Sequence, residues 1–203
     1  MEYDYLLKLI IIGHTGIGKS CISSVLSNKG FDREYNMTIG VDFFLIRKSV
    51  DNILWKIHLW DTAGQESFRS ITKSYYRETA ICFLVFDLTN RLTFNKLDSW
   101  KLEVLEQNSD CHFVVLGNKK DMENKRNVSY EEANEWAINN DMHYYEVSAK
   151  NNQFKYKGVD IITLILKDFN NKKDKDNNKG VKYNERQSDN HVHTKVINCC
   201  TIS

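Results

Sequence analysis

Gly13-His14-Thr15-Gly16-Ile17-Gly18-Lys19-Ser20 packs three glycines, a lysine and a hydroxyl into eight consecutive residues. Glycines let a backbone curl until successive N–H groups converge on one point, which suits the oxygens of a phosphate. An apolar strand pattern runs in and a helical pattern runs out to about residue 28, so the same anion meets a helix N-terminus. The spacing is that of the phosphate loop GxxxxGK[ST] without a gap. In such a loop Gly16, Ile17, Gly18 and Cys21 offer backbone contacts, Lys19 reaches the β/γ-phosphates and the Ser20 hydroxyl ligates Mg²⁺.

A phosphate loop alone implies a nucleoside triphosphate and leaves the base open. Asn118-Lys119-Lys120-Asp121 narrows it. A carboxylate at Asp121 can accept both N1–H and the exocyclic N2–H of guanine, a pair adenine does not present. Ser148-Ala149-Lys150 can supply a backbone N–H to guanine O6. In a chain this rich in Asn, Lys and Asp, either string alone says little. In this order, after two successive strands, they carry the assignment of GTP and GDP as ligands.

Trp60-Asp61-Thr62-Ala63-Gly64-Gln65-Glu66 adds the remaining chemistry. Asp61 is placed to hold Mg²⁺ and the Gly64 N–H to meet a γ-phosphate. Gln65 can orient an attacking water, which makes it the expected catalytic residue.

These strings need strand ends to sit on, and the hydropathy pattern supplies them. Residues 6–12, 81–87 and 113–117 read as fully buried strands of a parallel sheet covered on both sides. Residues 41–50 and 53–60 flank Asp51-Asn52, a tight-hairpin dipeptide, and Ile53, Trp55, Ile57 and Leu59 alternate with period two. Phe94, Leu97, Trp100, Val104 and Leu105 recur at helical spacing, and Ser129 with Glu132 reads as a capping box. Residues 143–147 give a sixth strand and 159–169 a last helix. The expected fold is one α/β domain over residues 1–170, with a six-stranded, mostly parallel sheet and helices on both faces.

Composition agrees. The 203 residues are 41% apolar and 27% charged, enough for a packed core, and no apolar run approaches the roughly 20 residues a membrane-spanning helix needs. A net charge of +1 gives no reason to expect nucleic acid as a partner. The opening Met1-Glu2-Tyr3-Asp4 has no basic-then-apolar signal pattern, and the five cysteines show no zinc spacing, so a reducing compartment is expected.

Taken together, these motifs resemble the small GTPases of the Ras superfamily, and within it the Rab family. The Rab-like strings are Thr38-Ile39-Gly40-Val41-Asp42-Phe43, Lys56-Ile57-His58-Leu59-Trp60, Glu66-Ser67-Phe68-Arg69-Ser70-Ile71-Thr72 and Ser74-Tyr75-Tyr76-Arg77. The string from Glu66 to Arg77, with Thr93-Phe94-Asn95 further on, is most similar to Rabs of the early secretory and endosomal-recycling branch. The resemblance implies a phosphate-loop GTPase fold and slow GTP hydrolysis. It implies that Thr38 ligates Mg²⁺ with Ser20 and Asp61, that Phe31 packs against guanine, and that the Lys119 stem lies over the base. It implies Phe43, Trp60 and Tyr75 as an effector surface, and exchange factors, GTPase-activating proteins, effectors, a GDP-dissociation inhibitor and prenylation machinery as partners. Three departures stand out: Thr15 in place of a common serine, Glu78-Thr79 in place of Gly-Ala, and four or five extra residues within 151–158.

Beyond Phe169 the apolar periodicity stops. Residues 171–203 hold seven Lys/Arg against four Asp/Glu and end Cys199-Cys200-Thr201-Ile202-Ser203, a lipidation signature of double-cysteine or CaaX type. A flexible, mildly basic tether with lipidated Cys199 and Cys200 is expected there. It would hold the protein on the cytoplasmic face of a Golgi, endosomal or vesicle membrane, in exchange with cytosol. Two other functions fit parts of the pattern: a GTP-bound scaffold with little turnover, and an ATP-using kinase or transporter subunit. Gln65 argues against the first, and Asp121 with residues 148–150 against the second.

Overall fold

A computed structural model of the chain describes residues 3–30, 38, 40–64 and 73–177, with side chains up to residue 172. The strands are β1 (Tyr5–Ile12), β2 (Val41–Val50), β3 (Ile53–Thr62), β4 (Ile81–Asp87), β5 (His112–Asn118), β6 (His143–Glu146), β7 (Lys155–Tyr156) and β8 (Val159–Asp160). The helices are α1 (Lys19–Leu26), α2 (Arg91–Phe94), α3 (Leu97–Leu105), α4 (Tyr130–Asn139) and α5 (Ile161–Asn177), with 3₁₀ turns at Ser74–Tyr76 and Lys120–Lys125.

Six strands form one sheet in the order β2-β3-β1-β4-β5-β6. Only β2 is antiparallel to its neighbour β3; the other pairings are parallel. The expected α/β architecture is therefore the one observed. The chain leaves β1 toward β2 and β3 on one side, then returns to β4 on the other. Reversal at β1 opens a crevice beyond the carboxyl ends of the strands, where open α/β sheets take their ligands.

Alternation along the strands sends side chains to two separate cores. Leu7, Leu9 and Ile11 pack with Ile22 of α1 and Ile161, Ile165 and Phe169 of α5. Ile10 and Ile12 face the opposite way and pack with Trp100 and Val104 of α3 and Ala133 and Ala137 of α4. Every residue of β4 is buried, as a central strand covered on both faces requires.

Local chemistry sets the boundaries. The Asp51-Asn52 turn joins β2 to β3 with both residues left-handed, φ 50° and 64°, the primed turn whose twist matches a hairpin. Periodicity from Phe94 to Leu105 suggests one helix, but the chain makes two. Asn90 caps a single turn by accepting from the Leu92 N–H at 3.1 Å, and α3 starts afresh at Leu97. The Ser129 cap is half of the expected box. Its Oγ accepts from the Glu132 N–H at 3.1 Å, but the Glu132 carboxylate turns away to receive both Arg91 guanidinium nitrogens at 2.6 Å. The last helix begins at Ile161 rather than 159, because Val159–Asp160 closes a hairpin with Lys155–Tyr156. Past Phe169, where its apolar face ends, α5 continues to Asn177. The flexible tail expected over residues 171–203 is thus helical through 171–177, and residues 178–203 lie outside the described residues.

Arg126 locks β6 to the segment after β5. Its guanidinium donates to both carboxylate oxygens of Glu123 (2.6 and 2.7 Å) and of Glu146 (2.7 and 3.0 Å). Glu146 is nearly buried, and the two carboxylates hold Arg126 well above its ordinary pKa. Lys120 approaches the same Glu146 only at 3.7 Å and is half exposed. Arg126→Ala should therefore cost about 3 kcal/mol of unfolding free energy, the cost of stranding a buried charge. Lys120→Ala should cost less than about 1 kcal/mol. Denaturant unfolding of the two variants checks this ordering, and equal losses would contradict it.

Candidate functional site

Three loops meet at the carboxyl end of the sheet: residues 13–18 after β1, 119–121 after β5 and 148–150 after β6. The first curls as its glycines predict, with Gly13 at φ 142°, Gly16 at 74° and Gly18 at 92°. Gly18 precedes α1, and a Cβ there would sit 2.5 Å from Asn118 Nδ2, so no other residue fits without displacing that amide. Cys21 follows in α1, half-buried.

Lys19 is buried and folds back over its own loop, donating to Gly13 O at 3.0 Å and His14 O at 2.9 Å. Burial brings its pKa down to about 8, with Asp61 opposing the shift. An arriving phosphate would reverse that shift by stabilising the ammonium.

Ser20 Oγ and Thr38 Oγ1 share a hydrogen bond of 2.8 Å. Beside them Asp61 is fully buried, and neither carboxyl oxygen has a hydrogen-bond partner among the described residues. Burial pushes its pKa up to about 6, against the pull of Ser20, Lys19 and Thr38. Two hydroxyls and an orphaned carboxylate form an all-oxygen donor set, which fits a hard cation such as Mg²⁺. Gly64 closes the pocket from the β3 side. A Cβ on it would meet Lys19 Nζ and lie 2.6 Å from Thr15 N, so the close approach to the phosphate loop requires glycine.

The base-side loops are tied to the phosphate loop by side chains. Asn118, 2% exposed, donates from Nδ2 to Ile17 O at 2.8 Å and accepts at Oδ1 from the Ala149 N–H at 3.3 Å. Lys119, left-handed at φ 68°, stretches to Gly16 O (3.1 Å) and Asp87 Oδ2 (2.7 Å). Asp121 Oδ1 accepts from Ser148 Oγ at 2.5 Å, and Lys150 Nζ lies 4.0 Å from its other oxygen. Thus Gly16, Ile17, Gly18, Lys19, Ser20, Thr38, Asp61, Gly64, Asn118, Lys119, Asp121, Ser148, Ala149 and Lys150 converge on one crevice.

The three aromatic residues expected at the surface also converge. Trp60 contacts Phe43 and Tyr75, both at 5.2 Å between ring centroids, and Phe43 is 47% exposed. Phe31, Gln65, Cys199 and Cys200 lie outside the described residues, so nothing is placed for them.

Asp87 escapes a motif search. It ends β4, is buried, and anchors Lys119 while accepting from the Thr89 N–H (2.9 Å) and Thr89 Oγ1 (2.7 Å). The available signal was a carboxylate closing an otherwise apolar strand, a position that polar residues take only when paired.

With this geometry in place, comparison with known families shows that the model described as Ras family matches residues 8–167.

Burial of the Asp61 carboxylate without a hydrogen-bond partner among the described residues is a cost to the fold. Since Asp61 titrates near pH 6 in the fold and near 3.8 unfolded, the folded state binds the extra proton between those values. Stability of the nucleotide- and metal-free protein should therefore rise as pH falls from about 6 to about 4 through this group. Asp61→Asn should raise the unfolding free energy of that form at pH 7.5 by about 3 kcal/mol, two pKa units at 1.36 kcal/mol each. The gain should vanish near pH 4, where Asp61 is protonated. A constant difference across that range in thermal unfolding would contradict it.

Proposed function

The chain belongs to the Ras family, and we propose that within it the protein is a Rab-type switch acting in vesicle trafficking. Ras-family domains bind GTP and GDP, generally with Mg²⁺, and hydrolyse GTP under the control of exchange factors, GTPase-activating proteins and effectors. The crevice suits that chemistry. Loop amides, the α1 N-terminus and Lys19 receive the phosphates, and Asp121 receives the guanine edge. Ser20, Thr38 and Asp61 would hold Mg²⁺, which would supply positive charge against the phosphates.

Hydrolysis transfers the γ-phosphoryl group of GTP to water, leaving GDP and phosphate. Little covalent work falls to the protein; positioning and charge do most of it. Lys19 stays cationic at neutral pH and is aimed into the loop by two backbone carbonyls. Gln65 is assigned to orient the attacking water. Without a built-in arginine at the phosphate loop, turnover is slow until a GTPase-activating protein supplies the missing charge.

State is read through Thr38, which hydrogen-bonds Ser20 at the cation site, and Gly64, which lies against Lys19 and Thr15 of the phosphate loop. Thr38 lies two residues before Gly40, whose carbonyl accepts from the Ala63 N–H at 2.9 Å, so a hydrogen bond joins the two segments. Thr38 precedes β2, which carries Phe43, and Gly64 follows β3, which carries Trp60. The observation that carries the Rab assignment is this continuous Phe43–Trp60–Tyr75 face beside the γ-phosphate-sensing segments. The strings around it and the Cys199-Cys200 ending support the same assignment. The lipidated tail would hold the GTP form on the cytoplasmic face of a Golgi, endosomal or vesicle membrane. The GDP form would be extracted by a dissociation inhibitor.

Gln65→Leu should lower single-turnover GTP hydrolysis at least tenfold while leaving GTP affinity within about twofold, the pattern of a transition-state interaction. An unchanged rate would remove Gln65 from the mechanism. Fractionation of cells expressing Cys199→Ser, Cys200→Ser and the double variant tests the membrane role. The double variant should be fully soluble and each single one weakened, since one lipid anchors only marginally. Undiminished membrane association of the double variant would contradict the tail as anchor.

A further inference from the structure

We infer that the segment from Gln153 to Asp160 is a positioning element for the base-recognition loop, and that Gln153 and Phe154 set how fast a guanine nucleotide leaves. This rests on the guanine assignment above. Neither residue touches the crevice; both act through Ser148 and Ala149.

The first tie is a two-way backbone bridge. Ser148 donates to Gln153 O at 3.2 Å and Gln153 donates back to Ser148 O at 2.9 Å. Between them residues 149–152 close a tight turn, with the Asn152 N–H reaching Ala149 O at 3.3 Å and Asn152 left-handed at φ 51°. Inside the turn Ser148 Oγ links both sides. It donates to Asp121 Oδ1 and accepts from the Asn151 N–H at 3.2 Å. Any slip of the bridge therefore displaces the carboxylate that reads the base as well as the loop facing O6.

The second tie is an anchor one residue further on. Phe154, 5% exposed, enters the core beside Ile161, Ile162 and Ile165, and its carbonyl accepts from the Ile161 N–H at 2.9 Å. The remainder folds into a hairpin of its own. Lys155–Tyr156 pairs with Val159–Asp160 across a turn with Lys157 at φ 49° and Gly158 at φ 82°. Tyr156 packs on Tyr145 of β6 at 5.5 Å, and Asp160 joins Lys48 of β2 at 3.2 Å while accepting from the Thr163 N–H at 3.1 Å. The base loop is thus held at both ends before any nucleotide arrives. A loop already ordered gives up less conformational entropy on binding, and the ligand leaves more slowly for it.

The test uses the full-length protein loaded with ribose-labelled fluorescent GDP, released by chelating Mg²⁺ under excess unlabelled GDP. Gln153→Pro deletes the N–H donated to Ser148, and its ring also fixes φ at 153 and restricts the left-handed turn at Asn152, so both changes act on the bridge. Phe154→Ala removes the anchor and Phe154→Leu restores most of its volume. Gln153→Pro and Phe154→Ala should each speed release at least tenfold, and Phe154→Leu should stay within about threefold of the parent. A second readout separates positioning from general loosening: the preference for GDP over 2-aminopurine riboside diphosphate, which lacks both O6 and the N1–H that Asp121 would accept. That preference should collapse toward one in Gln153→Pro. Equal weakening of both ligands, or release at the parental rate, would overturn the inference. A parent protein with no preference between them would instead overturn the guanine assignment itself.

Discussion

Asn118 holds the site together. Its amide is buried, so every hydrogen bond it fails to make inside the protein is a desolvation cost with no return. It meets that demand by donating to the phosphate loop and accepting from the base loop. Three strand ends are thereby joined through one side chain: β5 carries Asn118, β1 leads to Ile17 and β6 leads to Ala149. The constraint propagates outward. Gly18 must lack a Cβ because Asn118 occupies that space, and Lys119 must turn left-handed to reach Gly16 and Asp87.

Around this rigid frame lies an unbalanced set of charges. Lys19 and Asp61 are both buried, and burial shifts each toward its neutral form, to about 8 and about 6 respectively. Neither charge is adequately paired by protein groups alone. A polyanionic ligand answers the first and a hard cation the second, so the fold is built for a ligand and gains stability when it binds. The same tension makes the neighbouring segments responsive. Thr38 meets the cation site at Ser20 and Gly64 lies against the phosphate loop; they flank β2 and β3, which carry Phe43 and Trp60, and Trp60 in turn contacts Tyr75.

Much of this was legible in the amino-acid sequence because the chemistry is local. A glycine loop with its lysine and serine lies within eight residues, and buried strands announce themselves as apolar runs ending at polar motifs. Asp51-Asn52 specified its turn for the same reason. What stayed hidden depends on contacts distant in sequence. Asp87 looked like a strand end until Lys119 was seen to reach it. The Glu132 carboxylate left its capping role for Arg91, far away in the chain. Residues 151–158 read only as extra length, since a bridge from Gln153 to Ser148 and a core position for Phe154 require the whole sheet to be in place. Periodicity likewise ran through the break between α2 and α3, because both helices turn their apolar residues to the same core.

The central claim is that the crevice organised by Asn118 reads guanine and not adenine. Competition binding tests it most directly: the protein loaded with fluorescent GDP is challenged with unlabelled GTP and with ATP in the presence of Mg²⁺. GTP should displace the probe near stoichiometric concentration, while ATP at a hundredfold excess should leave it bound. Displacement by ATP at the same concentration as GTP would contradict the account.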